Sequence, residues 1–476
     1  MGDSTWLDAH EQAELVRSGQ ASPSELVDAA IDRIERVNPQ LNAVIHERFD
    51  KARAEAAGDL PDGPFRGVPL LLKDLGAMSE GDPYHCGAKF LKELGYTADH
   101  DSSYVTRFRQ AGFVIVGRTN VPEFGSTVTT EPLAYGACHN PWNLDYSTGG
   151  SSGGSGAAVA SGLTAIAHGN DGGGSIRIPA CQNGIVGLKP TRARVSQAPD
   201  VGEAWMGGTI DGVLTRSVRD TAAGLDCIAG GEPGDPYPAP PLERPLAQEV
   251  GVDPGSLRIG LLDHPLMPGI EANAECAAAV HATGKLLESL GHKVEVSHPE
   301  AFGDGEFQGQ FVNIVSVASA TDLDAWGRKI GRPVTADDVE PGNWLFAEIG
   351  RSITAPMYVT SVEWMHQYQR RMAAWWATDG FDILVTPVLN GPPPALGYLS
   401  DPEEGLNRVI SYLQYTAQFN ITGQPGISLP LATSENGLPI GIQFVGDYGR
   451  EDVLIRLASQ LEQAQPWADK HPSVHG

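Results

Sequence analysis

Basic side chains are in short supply: 33 Lys and Arg stand against 59 Asp and Glu, leaving a formal charge of −26. A field of that sign repels phosphate backbones and anionic lipid surfaces, and the longest basic run is the pair Arg370-Arg371. Both facts argue against nucleic acid or a membrane as partner. Cysteine is sparse too. Cys86, Cys138, Cys181, Cys227 and Cys276 are odd in number and scattered, with no CxxC. That pattern speaks against a disulfide framework or zinc site and for free thiols in a reducing compartment. No apolar run nears the ~20 residues that span a bilayer. Residues 1–6 lack the basic and apolar blocks of a signal peptide. Gly2 invites N-myristoylation, but Trp6 stands where Ser or Thr is wanted. Asn420-Ile421-Thr422 matches a glycosylation acceptor in form only. These absences predict a cytoplasmic protein.

Glycine and proline, by contrast, are plentiful, at 57 and 35 of 476 residues. Apolar runs interleave with them throughout, which predicts turns and close backbone approaches rather than disorder. Residues 6–60 read as a helical arm. Ser22-Pro23-Ser24-Glu25 forms a capping box with Pro at the first helical position. Leu26, Ala30, Ile34 and Val37 then recur at helical spacing, and Asn38-Pro39 is expected to stop that helix. Val68 to Leu72 followed by Lys73, Phe113 to Gly117, and Gly184 to Leu188 read as buried strands. Residues 230–256 form a Pro-rich surface connection. Leu257 to Leu262, a helix over 273–290 and His292 to Val296 give a strand–helix–strand unit. Residues 305–380 read as mainly helical, and Asp382 to Pro387, Gly426 to Leu431 and Gly441 to Val445 as further strands before a helix over Glu451 to Gln463. Strands alternating with helices predict an α/β fold. With no repeat or linker visible, one domain over 1–476 is expected: an arm (1–60), a core (65–230), a variable substrate-side segment (257–400) and closing strands with a helix (415–476).

Chemistry concentrates in two Gly/Ser clusters. Residues 149–156 do not form a phosphate cradle, because no Lys follows the glycines. Gly149-Gly150-Ser151-Ser152-Gly153 does satisfy G-x-S-x-G, an elbow that would make Ser151 the nucleophile. That elbow requires a preceding strand, and residues 140–146 read as loop. Glycines that merely turn the chain are the third possibility.

A second cluster and a strand-end lysine change the balance. Gly149 to Ala157, then Gly169-Asn170-Asp171-Gly172-Gly173-Gly174-Ser175-Ile176-Arg177-Ile178-Pro179-Ala180, with 24 residues from Ser151 to Ser175, resemble the amidase signature. Gly67-Val68-Pro69-Leu70-Leu71-Leu72-Lys73-Asp74 resembles that family's lysine motif. Gly117 to Gly125 and Asn140 to Asn143 resemble its intervening segments, and Phe419 to Pro425 and Gly437 to Gln443 its closing strands. Within the family, Thr129-Thr130-Glu131-Pro132, His168 to Asp171 and Tyr448 to Asp452 are most similar to the 6-aminohexanoate-cyclic-dimer hydrolases, which open nylon-oligomer lactams.

The resemblance implies an α/β amidase-signature fold, a single domain with a large mixed central sheet flanked by helices on both faces. It implies hydrolysis of a carboxamide C–N bond, with Ser175 as nucleophile, Ser151 after a cis peptide bond as relay, and Lys73 as base. A free lysine has a pKa of ~10.4; burial at the end of an apolar strand lowers it toward the ~7–8 that base catalysis requires. The N–H groups of Gly172, Gly173, Gly174 and Ser175 would form the oxyanion hole, with Ser152, Asp171 and Arg177 in support and Ser155 bonded to the same loop. No metal or organic cofactor is implied. Substrate-side positions would be Gly125, Ser126, Thr130, Tyr135 and Val315. Ser126 and Val315 stand where the closer group carries amide- or thiol-bearing side chains, which leaves aryl-acylamides and carbamates open beside nylon oligomers. Trp364, Tyr368, Met372 and Trp375 read as a core stripe, and Trp344, Phe346 and Tyr358 as pocket candidates. The partner would be a small amide or carbamate, and the family pattern allows a homodimer. Two other classes compete: a glutamine-hydrolysing subunit of a tRNA-dependent amidotransferase, and a catalytically silent binding protein.

Overall fold

The computed structural model describes residues 4–476; Met1 to Asp3, and with them Gly2 and the start of the leader reading, lie outside the described residues. Thirteen strands occur among them. They are β1 (Val44–Glu47), β2 (Pro69–Lys73), β3 (Val114–Thr119), β4 (His139–Asn140), β5 (Asn143–Ser147), β6 (Ile166–Asp171), β7 (Val186–Lys189), β8 (Ile210–Thr215), β9 (Arg258–Leu261), β10 (Lys293–Val296), β11 (Ile383–Pro387), β12 (Gly426–Thr433) and β13 (Pro439–Gly446). Eleven of these form one sheet in the order β1-β3-β2-β6-β8-β7-β12-β13-β11-β9-β10, and β4 pairs with β5 alone. The sheet is mixed. β3, β2 and β6 run parallel, as do β11, β9 and β10, with antiparallel joints between the groups.

Side-chain alternation along each strand splits the core across the two faces. Leu70 and Leu72 of β2 face one layer with Ile166 and Val213, while Leu71 faces the other with Ala167 and Leu214. The first layer is covered by helices Ser103–Gln110, Val218–Ile228, Ala274–Ser289 and Glu451–Ala464, the second by Pro23–Leu41 and Gly153–Ala160. Because both faces are covered, β2 is apolar over its whole length until Lys73. β2 and β6 are parallel and end at Lys73 and Asp171, so both residues arrive at the same sheet edge. No helix among the described residues is long and apolar enough to cross a membrane.

Four local expectations need correction. The helix at Pro23 does not stop at Pro39; it runs through it to Leu41 and ends where Asn42 adopts φ 50°. A proline three residues from a helix end displaces little, and Asn38 closes the turn by accepting the N–H groups of Ala43 and Val44. The arm is not wholly helical, since β1 joins the sheet beside β3. Residues 140–146 are not plain loop but include β5, held to β4 away from the main sheet. Within Phe419 to Pro425, expected as strand, Phe419 to Thr422 belong to a short helix, Ala417–Thr422.

The segment after 305 folds into helices Phe307–Ile330, Pro341–Ser352 and Ala355–Ala377. The first two touch backbone to backbone. A Cβ on Gly350 would lie 2.0 Å from the Ser316 carbonyl oxygen, so only glycine permits that approach. Tyr368, Met372 and Trp375 are buried, and Trp364 stacks on Tyr368 with ring centroids 5.3 Å apart, forming a core stripe.

Candidate active site

Lys73 reaches the site through the apolar strand that precedes it and has no solvent exposure. Its Nζ donates to Ser151 Oγ at 2.7 Å and to Asn170 Oδ1 at 2.5 Å. Burial pushes its pKa down to about 7, against the opposing charges of Asp211 and Asp171. The adjacent acid does not pair with it. Asp74 instead accepts Arg118 Nε at 3.1 Å and the N–H groups of His85 and Gly87 at 3.2 and 3.3 Å.

Ser151 follows a cis peptide bond from Gly150. Ser152 ties the two clusters together: its N–H donates to the Ser175 carbonyl at 3.2 Å and its hydroxyl to the Asn170 carbonyl at 3.2 Å. Ser155 donates to the His168 carbonyl at 2.7 Å and shares a 2.7 Å contact with Thr119 Oγ1, pinning the Gly153–Ala160 helix to β6 and β3.

Asp171 organises the loop that carries Ser175. Its carboxylate accepts the N–H groups of Gly174 at 2.7 Å and Ile176 at 3.1 Å, and Arg177 Nε and Nη2 at 3.0 and 2.9 Å. Arg177, fully buried, also donates to the Thr416 carbonyl, Gln443 Oε1 and Asn420 Oδ1 at 3.0, 2.7 and 2.7 Å. Gly174 has φ 131°, and a Cβ there would lie 2.6 Å from Thr416 Oγ1, so no other residue fits. One correction follows for the oxyanion hole. The Gly174 N–H, expected among its donors, is spent on Asp171. Ser175 itself is half-buried.

The expected substrate-side residues separate. Gly125 packs directly on Ser151, since a Cβ there would lie 3.0 Å from Ser151 Oγ. Ser126 closes the turn before it, donating to the Glu123 carbonyl at 3.0 Å. Thr130 is 1% exposed and donates to the Gly149 carbonyl at 2.8 Å; it braces the Ser151 loop from within and forms no pocket wall. Tyr135 is also displaced, its hydroxyl engaging His85 Nδ1 and, at 3.3 Å, His46 Nε2, with Lys92 over its ring. That cluster lies on the Asp74 side, held by the Asp74 bond to His85. Val315 is buried in the Phe307–Ile330 helix. Trp344 and Tyr358 are half-buried and join different apolar clusters; Phe346 is half-buried.

Several residues escaped the sequence reading. A Cβ on Gly172 would stand 3.0 Å from the Trp205 ring, and one on Gly173 3.7 Å from the Phe311 ring. Trp205 and Phe311, edge to face at 6.4 Å, therefore flank the Ser175 loop with an aromatic wall. Trp205 lies in an irregular loop at φ 53°, outside any periodicity that would mark it. Asn420, formally a glycosylation acceptor, is 1% exposed and donates to the Asp171 carboxylate and carbonyl and to the Gly208 carbonyl, each at 2.9 Å. It is a brace.

A buried lysine with a lowered pKa, a serine bonded to it, a second serine on a glycine-rich loop and two aromatic rings beside that loop suit acyl transfer from an amide. Residues 25–455 match the Amidase family model. The chain is 46% identical to the 6-aminohexanoate-cyclic-dimer hydrolase of Paenarthrobacter ureafaciens over 480 residues, 98% of this chain and 97% of that one. The solved structure of a 6-aminohexanoate cyclic dimer hydrolase complexed with substrate matches it with a TM-score of 0.96 and 45% identity over 100% of both chains. A bacterial aryl acylamidase of the amidase signature family matches with a TM-score of 0.88 and 27% identity over 99% of both. The chain belongs to the amidase family. It is a hydrolase of amide bonds.

Proposed function

We propose that Ser175 attacks the carbonyl of a small linear or cyclic amide, with Lys73 as general base acting through Ser151. In the first step the Ser175 hydroxyl proton passes to Ser151 Oγ as the Ser151 proton passes to Lys73 Nζ, and the Ser175 Oγ–carbonyl carbon bond forms. The oxyanion is held by the free N–H groups of Gly172, Gly173 and Ser175. On collapse the C–N bond breaks and the proton returns from Lys73 through Ser151 to the leaving amine. Water then repeats the sequence on the acyl-enzyme. The observation that carries this reading is the 2.7 Å bond from Lys73 to Ser151, made by a lysine that burial brings to about 7. An acceptor of that basicity exchanges protons readily at neutral pH.

The relatives' substrate supports 6-aminohexanoate oligomers as the substrate class, and the Trp205–Phe311 wall suits a methylene chain. The same wall can stack an aryl group, which keeps an aryl-acylamide as the second reading. A turnover screen over the cyclic and linear 6-aminohexanoate dimers, an anilide and a carbamate decides between them. Labelling with an alkyl sulfonyl fluoride, followed by peptide mapping, is expected to modify Ser175; modification of Ser151 would overturn the assignment of the nucleophile.

A further inference from the structure

A neutral lysine has two N–H groups and one lone pair, and the proposed relay needs the lone pair of Lys73 on Ser151. Among the described residues its Nζ has two hydrogen-bond partners, Ser151 Oγ at 2.7 Å and Asn170 Oδ1 at 2.5 Å. Asn170 lies on β6, the neighbour of β2, half-buried and one residue before Asp171.

The far end of the Asn170 amide decides its orientation. Nδ2 donates to the Leu75 carbonyl at 3.0 Å, a position where the amide oxygen would meet another acceptor. Oδ1 therefore faces Lys73, and an amide oxygen can only accept. The contact must use a Lys73 N–H, which leaves the lone pair free to turn toward Ser151. Two further features hold the amide in this pose. Gly76, at φ 84°, folds the chain after Leu75 closely around it, and a Cβ there would lie 2.8 Å from Asn170 Nδ2. The Asn170 carbonyl accepts the Ser152 hydroxyl at 3.2 Å, so one residue is tied both to Lys73 and to the Ser151 loop.

The amide also carries no charge. The acids that act on Lys73 are Asp211 on β8 and Asp171 on β6, and neither is bonded to Nζ. Asp211 meets His168 Nε2 at 3.1 Å and Asp171 meets Arg177 at 2.9 Å. On the β3 side Arg118 donates to Asp74 at 3.1 Å and to the Lys73 carbonyl at 3.0 Å.

We propose that Asn170 is a positioning residue for the reaction: its Oδ1 holds one N–H of Lys73, which aims the lone pair at Ser151 without supplying a counter-charge. This rests on the reading of Lys73 as the base. When Lys73 takes the Ser151 proton, its bond to Oδ1 becomes charge-assisted and strengthens. A carboxylate at 170 would hold the ammonium form, and a hydroxyl could donate into the lone pair.

The test is the pH profile of amide turnover in Asn170→Asp, Asn170→Leu and Lys73→Ala, with folding checked by circular dichroism. In the wild type the acid limb of kcat/KM is expected at about 7. Asn170→Asp should move that limb up by about one pH unit or more, roughly a tenfold loss at pH 6. Asn170→Leu should lower the kcat plateau by about tenfold or more, with KM near the wild-type value and no upward move of the limb. A merely structural role would leave the limb of Asn170→Asp in place. A limb of Asn170→Asp that coincides with wild type, or full kcat in Asn170→Leu, overturns the role of Asn170 while Lys73→Ala stays inactive. Turnover that survives in Lys73→Ala overturns the reading of Lys73, and the role of Asn170 with it. Asn170→Ser is the smallest change and keeps the test decisive where the others do not fold; wild-type kcat in that variant also counts against the proposal.

Discussion

The Asp171 carboxylate meets Arg177 at 2.9 and 3.0 Å, and neither side chain is exposed. Burial works against the charged carboxylate, yet Arg177 and the Asn420 amide outweigh it and hold its pKa well below the ordinary range. Removing one member strands the other: loss of one partner of a buried pair costs ~3–5 kcal/mol. Asp171→Asn is therefore expected to lower the thermal midpoint by several degrees. It should also cut kcat by ~10²-fold or more through misplacement of the Gly172 to Ser175 loop. Arg177→Met should do the same, and the double variant should be less damaging than the two single effects added. Strict additivity in a double-mutant cycle would show that the pair does not act as a unit.

The role proposed for Lys73 sets a pH dependence of known sign. Its protonated form cannot take the Ser151 proton, so kcat/KM should rise tenfold per pH unit below about 7 and level off above it. Stability follows the same group. The folded state releases this proton at about 7 and the unfolded chain near 10.5, so wild-type stability gains with pH between those values and bears the full penalty below 7. Lys73→Met is thus expected to be inactive yet to melt higher than wild type, by a larger margin at pH 6 than at pH 9. A margin that does not change between these pH values would show that the lysine is not desolvated.

Glu123 joins the Gly125 turn to the variable helices. Its Oε2 accepts Asn343 Nδ2 at 2.6 Å and the Glu340 N–H at 2.7 Å, at 2% exposure. Burial exceeds the effect of those donors and raises its carboxyl to about 7. A raised carboxyl costs stability as pH climbs from its unfolded value near 4.5 to about 7, after which the loss is complete. Glu123→Gln keeps an acceptor without the charge. Its melting point relative to wild type should rise between pH 5 and pH 8, whereas a difference that stays constant would place Glu123 in a solvated setting.

The sequence by itself determined the family and the strands with continuous apolar runs, and it singled out Lys73, Ser151 and Ser175 as the candidate triad. These are local properties: motif spacing, a buried strand such as Val68 to Leu72, a capping box at Ser22. It did not disclose β6 and β8, which adjoin at the heart of the sheet. Ile166-Ala-His-Gly-Asn-Asp and Ile210-Asp-Gly-Val-Leu-Thr are too polar to read as buried strands, and both are buried because neighbouring strands and helices close over them. Tertiary structure also decided which glycine N–H is spent, since Gly174 loses its donor to an aspartate that β6 aims back at it. It tied Thr130 and Tyr135 into hydrogen bonds within the fold and brought Trp205 and Phe311 beside the Ser175 loop from distant segments. Positions of that kind follow from how helices and loops pack, and packing joins residues that no spacing in the chain connects.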